Sequence, residues 1–127
     1  MGVAQLEEQI EAGNLQAVKE ILVQNPKLAS VDTSHGISPL LLACYYKKKE
    51  IADVIAEFAE NLSLFEACAA GKFDVATLHI FQNPNSINEF SEDGFTPLGL
   101  ACYFDHEELA RFLILKGADV NLASKNG

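Results

Sequence analysis

Thr96-Pro97-Leu98, followed by Gly99-Leu100-Ala101-Cys102-Tyr103, has an earlier counterpart in this chain: Ser38-Pro39-Leu40 and Ala43-Cys44-Tyr45 stand 58 residues before it in the same spacing. On the N-terminal side the match continues. Gln24-Asn25-Pro26 returns as Gln82-Asn83-Pro84 and Ala12-Gly13 as Ala70-Gly71, at the same offset and without a gap. Four separate matches in phase mark an internal duplication. A fixed period of this kind indicates stacked repeats, in which each unit buries its apolar face against its neighbour.

Each half is itself double. Ile10, Cys44, Cys68 and Cys102, placed at one equivalent position, give successive steps of 34, 24 and 34 residues. Each step accommodates a helix, a tight break and a second helix. The first helices are expected at Gln5 to Ala12, Pro39 to Tyr46, Leu62 to Ala70 and Pro97 to Phe104. The second are expected at Leu15 to Gln24, Glu50 to Glu60, Phe73 to Gln82 and Glu107 to Lys116. In the second helices apolar residues recur at three and four, as in Val18, Ile21 and Leu22 or Leu109, Phe112 and Leu113, so one face of each must be covered. Ser38 and Thr96 suit N-caps, with Pro39 and Pro97 at the first helical position, where a missing N–H is harmless. Gly13 and Gly71 suit the left-handed residue that closes a helix, and Asn25-Pro26, Asn83-Pro84 and Gly117 stop the second helices. The fold class is all-α.

Gly94-Phe95-Thr96-Pro97-Leu98, Leu100-Ala101-Cys102, Leu109 to Leu115 and Gly117-Ala118-Asp119-Val120-Asn121 together resemble the ankyrin repeat, whose signature is Thr-Pro-Leu-His in a period of about 33 residues. Residues 36–58 match well, 62–88 match in their helices, and 3–26 resemble a degenerate first repeat. The resemblance implies one domain of helix-turn-helix repeats forming a solenoid with short extended fingers, divided approximately at 3–35, 36–61, 62–93 and 94–127. Two departures stand out. The family's signature His is replaced by Leu41 and Gly99, so cohesion between repeats leans on packing. The 24-residue step leaves no room for a finger between Glu60 and Leu62, so a gap in the row of fingers and a local change of curvature are expected there. The chain stops at Lys125-Asn126-Gly127, where the family begins its next finger. The expectation is a piece of a longer repeat protein, or a last face buried by something else.

The chain's 127 residues are 49% apolar and 21% charged, in keeping with one soluble domain. No apolar run approaches the roughly 20 residues of a membrane span. Glu7, Glu8 and Glu11 sit where a secretory signal needs a basic start and an apolar stretch, so a cytoplasmic protein is expected. A net charge of −9 disfavours nucleic acid. The acid excess is uneven: from Phe73 to Ala110 there is no Lys or Arg, while Asp74, Glu89, Glu92, Asp93, Asp105, Glu107 and Glu108 fall there. Such a face is either simple solvation or an attraction for a basic partner surface.

Chemistry is poorly represented. Cys44, Cys68 and Cys102 occupy the position where the family has a small buried residue, so all three are expected in the core and reduced. Metal ligation would call for C-x-x-C or H-x-x-x-H spacing, and neither occurs, so no metal and no cofactor are expected. His35, His79 and His106 are scattered and form no nucleophile-His-carboxylate motif. His106 falls at the family's turn position and His79 at an apolar-phase position of a helix, so both are read as structural. There is no P-loop, dinucleotide glycine pattern or H-E-x-x-H, and no enzymatic activity is expected. Asn61-Leu62-Ser63 formally fits a glycosylation acceptor, which means little without export. Lys47-Lys48-Lys49 is read as a solvated turn, beside Tyr45 and Tyr46, that offers a rim for an acidic group.

A binding surface remains. In ankyrin repeats, contacts come from finger tips and from the ends of the first helices. Carried over by position, the fingers are Ser34, His35 and Ile37 in the second repeat and Glu92, Asp93 and Phe95 in the fourth. The helix ends are Tyr45 with Tyr46, Ala69 with Ala70, and Tyr103 with Phe104. Two aromatic pairs thus flank a small-residue saddle, and aromatic residues dominate interface hot spots. The alternative is that one aromatic of each pair, Tyr46 and Phe104 foremost, packs inward. The implied function is a non-catalytic module binding a protein or peptide in its concave groove. The alternative function is an assembly module that self-associates or stacks through its uncapped last repeat, near Leu113 to Leu122.

Overall fold

The computed structural model describes residues 2–91 and 94–122. Among them are eight α-helices: α1 (Val3–Ala12), α2 (Leu15–Gln24), α3 (Pro39–Tyr45), α4 (Lys49–Phe58), α5 (Leu64–Ala70), α6 (Phe73–Gln82), α7 (Pro97–Tyr103) and α8 (Glu107–Leu115). Every expected helix is present, with ends shifted by a few residues. Short 3-10 turns at Pro26–Ser30 and Pro84–Asn88 follow α2 and α6. The Asn-Pro pairs that stop those helices also start these turns, because proline cannot donate the next α-helical hydrogen bond yet its fixed φ suits a tighter coil.

Local chemistry sets the boundaries. Ser38 Oγ accepts from the Leu41 N–H at 3.2 Å and Thr96 Oγ1 from the Gly99 N–H at 3.0 Å, each ahead of a proline at the first helical position. Asn14 Oδ1 caps α2 through the Ala17 N–H at 3.1 Å. The third repeat corrects the sequence expectation: its first helix begins at Leu64, not Leu62. Ser63 forms a reciprocal capping box, its Oγ accepting from the Glu66 N–H at 3.1 Å while Glu66 Oε1 accepts from the Ser63 N–H at 2.9 Å. Ser63→Ala is expected to cost about 1 kcal/mol. Thermal unfolding would register this as a lower midpoint, and an unchanged midpoint would refute the box's contribution.

Four of the left-handed residues, Gly13, Lys47, Gly71 and Asp105, with φ of 73°, 60°, 73° and 63°, recur at the 34, 24, 34 rhythm of the sequence. Each follows a first helix and reverses the chain into the second. Two fingers also match at the 58-residue offset. The Thr33 N–H donates to the Ile37 carbonyl at 2.8 Å and the Ser91 N–H to the Phe95 carbonyl at 2.7 Å. Residues 59–63, between α4 and α5, hold neither helix nor such a turn, as the short step requires.

Contacts divide the chain into two compact units, residues 1–61 and 62–127, a boundary that follows the duplication. In the first unit α1 packs on α2 and α3, and α4 on α2 and α3, around Leu6, Ile10, Val18, Leu22, Leu40 and Ile55. In the second, α5 packs on α6 and α7, and α8 on α6 and α7, around Leu64, Cys68, Leu98, Leu100, Leu109 and Leu113. No helix among the described residues is long and apolar enough to cross a membrane.

The shared cysteine position does not have one environment. Cys44 and Cys68 are buried, but Cys102 is exposed, contrary to the expectation that all three lie in the core. Cys44 lies on α3, which packs on α1 and α4, and Cys102 on α7, which packs on α5 and α8, so equivalent helix neighbours leave one thiol covered and the other open. Burial pushes the Cys68 thiol up to about 12. Iodoacetamide under native conditions is therefore expected to modify Cys102 quickly and Cys68 only on unfolding. Comparable labelling rates would contradict the assignment. Because the unfolded thiol titrates near 9 and the folded one near 12, this residue's contribution is intact below pH 9 and declines between 9 and 12.

Candidate protein-binding surface

In the first unit, the finger is fastened to α1. Glu7 Oε1 accepts from the Ser34 N–H and Oε2 from the Ser34 hydroxyl, both at 2.7 Å. These bonds, together with the nearby His35, hold the Glu7 carboxyl below the usual carboxylate range. One turn along α1, Glu11 lies 3.5 Å from His35 Nε2 and accepts a hydrogen bond from the Tyr46 hydroxyl. Desolvation and then the Glu11 carboxylate push the Tyr46 phenol up. Two of the sequence-derived residues, His35 and Tyr46, thus meet at a third that sequence reading missed. The available signal was Glu7 and Glu11 at i, i+4, which places both carboxylates on one face of α1. Ile37 and Tyr45 are half-buried, while His35 and Tyr46 are exposed. It is therefore Tyr45, not Tyr46, that is the more covered of this pair.

Donor atoms of Glu7, Glu11 and His35 all lie within 4.8 Å of one another, a convergence that short-spacing motifs could not reveal. Both Glu7 oxygens are already engaged by Ser34, and Glu11 by Tyr46 and His35. The arrangement works as a hydrogen-bonded clasp that fixes the finger against α1.

In the second unit, Phe95, Tyr103 and Phe104 come together. The Phe95 and Tyr103 rings are 5.8 Å apart, and Tyr103 meets Phe104 edge-on at 4.9 Å. Tyr103 is 53% exposed, whereas Phe95 and Phe104 are half-buried. The finger aromatic and the helix-end pair therefore form one cluster whose outer member is Tyr103. Glu92 and Asp93, the acidic finger residues, lie outside the described residues.

The saddle is only partly available. Ala70 is half-buried, but Ala69 is buried at 2% exposure and so presents no contact surface. Its carbonyl accepts from His106 Nε2 at 2.8 Å, which ties the third repeat to the fourth. His106 is thus a turn-stabilising residue, as its position suggested. His79 is likewise structural, its Nε2 donating to the Leu62 carbonyl at 2.7 Å.

Paired helices, reversing turns and hydrogen-bonded fingers define an ankyrin-type repeat protein. The family model for ankyrin repeats, in three copies, matches residues 7–124, and the chain belongs to that family. It is 31% identical to the Target of rapamycin complex 2 subunit AVO2 of Saccharomyces cerevisiae, over 96% of this chain and 32% of that protein. It is 36% identical to the mouse serine/threonine-protein kinase TNNI3K over 71% of this chain and 12% of the kinase. With rat Ankyrin repeat and SAM domain-containing protein 6 it shares 26% identity over 93% of this chain and 11% of that protein. The chain spans about a third or less of the length of these relatives. Ankyrin repeats generally bind proteins.

Proposed function

We propose that the chain is one ankyrin-repeat domain acting as a non-catalytic, cytoplasmic interaction module. It takes a protein or peptide on the fingers and first-helix ends of its units. The observation that supports this most is the Phe95, Tyr103, Phe104 cluster, where a half-exposed tyrosine stands on two supporting rings. Rigid aromatic area of this kind contributes contact at little entropic cost. In the first unit Tyr46, His35 and Ile37 are the corresponding contacts. A basic partner surface suits the net charge of −9 and favours fast encounter. The mechanism is steric and electrostatic, tethering or blocking the partner without a cofactor.

The test is affinity capture from native lysate with the wild-type chain beside a Tyr46→Ala/Tyr103→Ala variant whose folding is checked by circular dichroism. A species retained by wild type and lost with the variant supports the reading. Equal retention by both rejects it. A second reading, self-association through the last repeat, is favoured by exposed Leu115 and Val120, and sedimentation that depends on concentration would support it.

A further inference from the structure

α3 runs from its finger to a reversing turn, and that turn with the first residue of α4 carries Lys47, Lys48 and Lys49, three of the chain's nine Lys and Arg. With Glu50 and Ile51, and with Gly13 and Leu15 from the first repeat, they line a hollow of about 340 Å³. The fold does not ask for these lysines. At the 58-residue offset the same stretch reads Asp105-His106-Glu107-Glu108, so the turn forms with acids as readily. Lys47 is even ill suited to its place. Its φ of 60° is the left-handed conformation held in the equivalent turns by Gly13, Gly71 and Asp105, residue types that tolerate it better than lysine does.

Charge and hydrogen bonding narrow the ligand. Lys48 is half-buried, and its ammonium lies over the turn between α1 and α2, 3.2 Å from where a Cβ at Gly13 would stand. Among the described residues this ammonium has neither an ion pair nor a hydrogen-bond acceptor. Its counterpart in the second unit, His106, is satisfied by the Ala69 carbonyl. Lys49 reaches Asp53 at 3.4 Å, an exposed i, i+4 pair of the kind that contributes little and yields to a better acceptor. The lining of the hollow sets three ammonium groups against the one carboxylate of Glu50. Two positive charges remain, which a phosphate monoester of nearly −2 neutralises and a lone carboxylate does not. A broad anionic surface, membrane or nucleic acid, would meet the chain's net charge of −9 as repulsion, whereas a single phosphate on a protein segment meets only the hollow.

We propose that this hollow binds the phosphate of a phosphorylated side chain on a partner protein, with Lys48 as the central donor, Lys47 and Lys49 beside it, and the partner's adjoining apolar atoms against Leu15. The site is separate from the fingers and stands independently of what they bind.

The probe is a short peptide with one phosphoserine between leucines, titrated into the isotope-labelled full chain and followed by amide chemical shifts. Its controls are the same peptide with serine or glutamate in place of phosphoserine, and vesicles of phosphatidylcholine and phosphatidylserine. Lys48→Gln removes the central donor, while Lys19→Gln removes an equal charge from the exposed side of α2. The expected result is saturable shifts at Gly13, Leu15 and Lys47 to Ile51, with tighter binding of the phosphopeptide than of either twin. Lys48→Gln should weaken it at least about tenfold and Lys19→Gln by less than about twofold. Lys47→Asp/Lys48→His/Lys49→Glu, which installs the residues of the second unit, should fold as wild type by circular dichroism and abolish the shifts. Equal loss from Lys48→Gln and Lys19→Gln, equal binding of the serine or glutamate peptide, or no shifts at the hollow would overturn the proposal. Preference for the vesicles over the phosphopeptide would also overturn it, in favour of a membrane surface.

Discussion

Gly71→Ala is expected to lower stability by about 3 kcal/mol, and Gly13→Ala, at the same place in the duplicated unit, by about 1 to 2. Both glycines have φ of +73°, where an L side chain is strained, so both substitutions share that cost. They differ in what the new methyl meets. At Gly13 the nearest atom is Lys48 Nζ at 3.2 Å, the free end of a flexible side chain. At Gly71 a Cβ would lie 2.5 Å from His106 Cε1 and 2.6 Å from Nδ1, inside the ring that donates to the Ala69 carbonyl. Either the imidazole leaves and a buried acceptor loses its partner, or the turn opens. Urea unfolding of both single variants reads the difference directly. In a His106→Ala background, Gly71→Ala should cost no more than Gly13→Ala. If the two glycines cost the same in wild type, the packing of His106 on the preceding repeat is wrong.

Leu100→Ala is expected to cost about 2 to 5 kcal/mol, because a cavity is left where α7 meets α5 and α8. Leu100 is 1% exposed, so the truncation opens a space away from solvent. Leu115→Ala removes the same atoms from a residue that is 84% exposed and should stay within about 0.5 kcal/mol. Chemical denaturation of the pair compares identical chemistry in two environments. Similar losses would mean that the assignment of the faces of α7 and α8 is incorrect.

The fold was legible to the extent that repetition made it so. A 58-residue offset, with Thr-Pro or Ser-Pro starts and Asn-Pro stops, is a local signal that survives without knowledge of packing. The start of α5 was harder to place, because the capping role of Ser63 depends on Glu66 three residues on. Cys102 departs for a different reason: equivalence in a repeat fixes the position of a side chain on its helix, but not how fully its surroundings cover it. The site followed the same division. Tyr103 and Phe95 were placed by repeat position, and their ring contact follows from that placement. Glu7 and Glu11 were missed because their partners, Ser34, His35 and Tyr46, lie about a repeat away, and only the stacking of α1 against α3 brings them together. The lysine hollow was half legible: Lys47-Lys48-Lys49 stands out as a cluster, but its closure by Gly13 and Leu15 of the preceding repeat follows only from stacking.

Amide hydrogen exchange of the chain, free and bound to the partner retained in affinity capture, tests the interaction reading most directly. The account predicts slowed exchange at the finger residues 33–37, at Tyr45 and Tyr46, at Phe95, and at Tyr103 and Phe104, with α2 and α4 unchanged. Protection that leaves both fingers and both aromatic helix ends as they were in the free chain would contradict it.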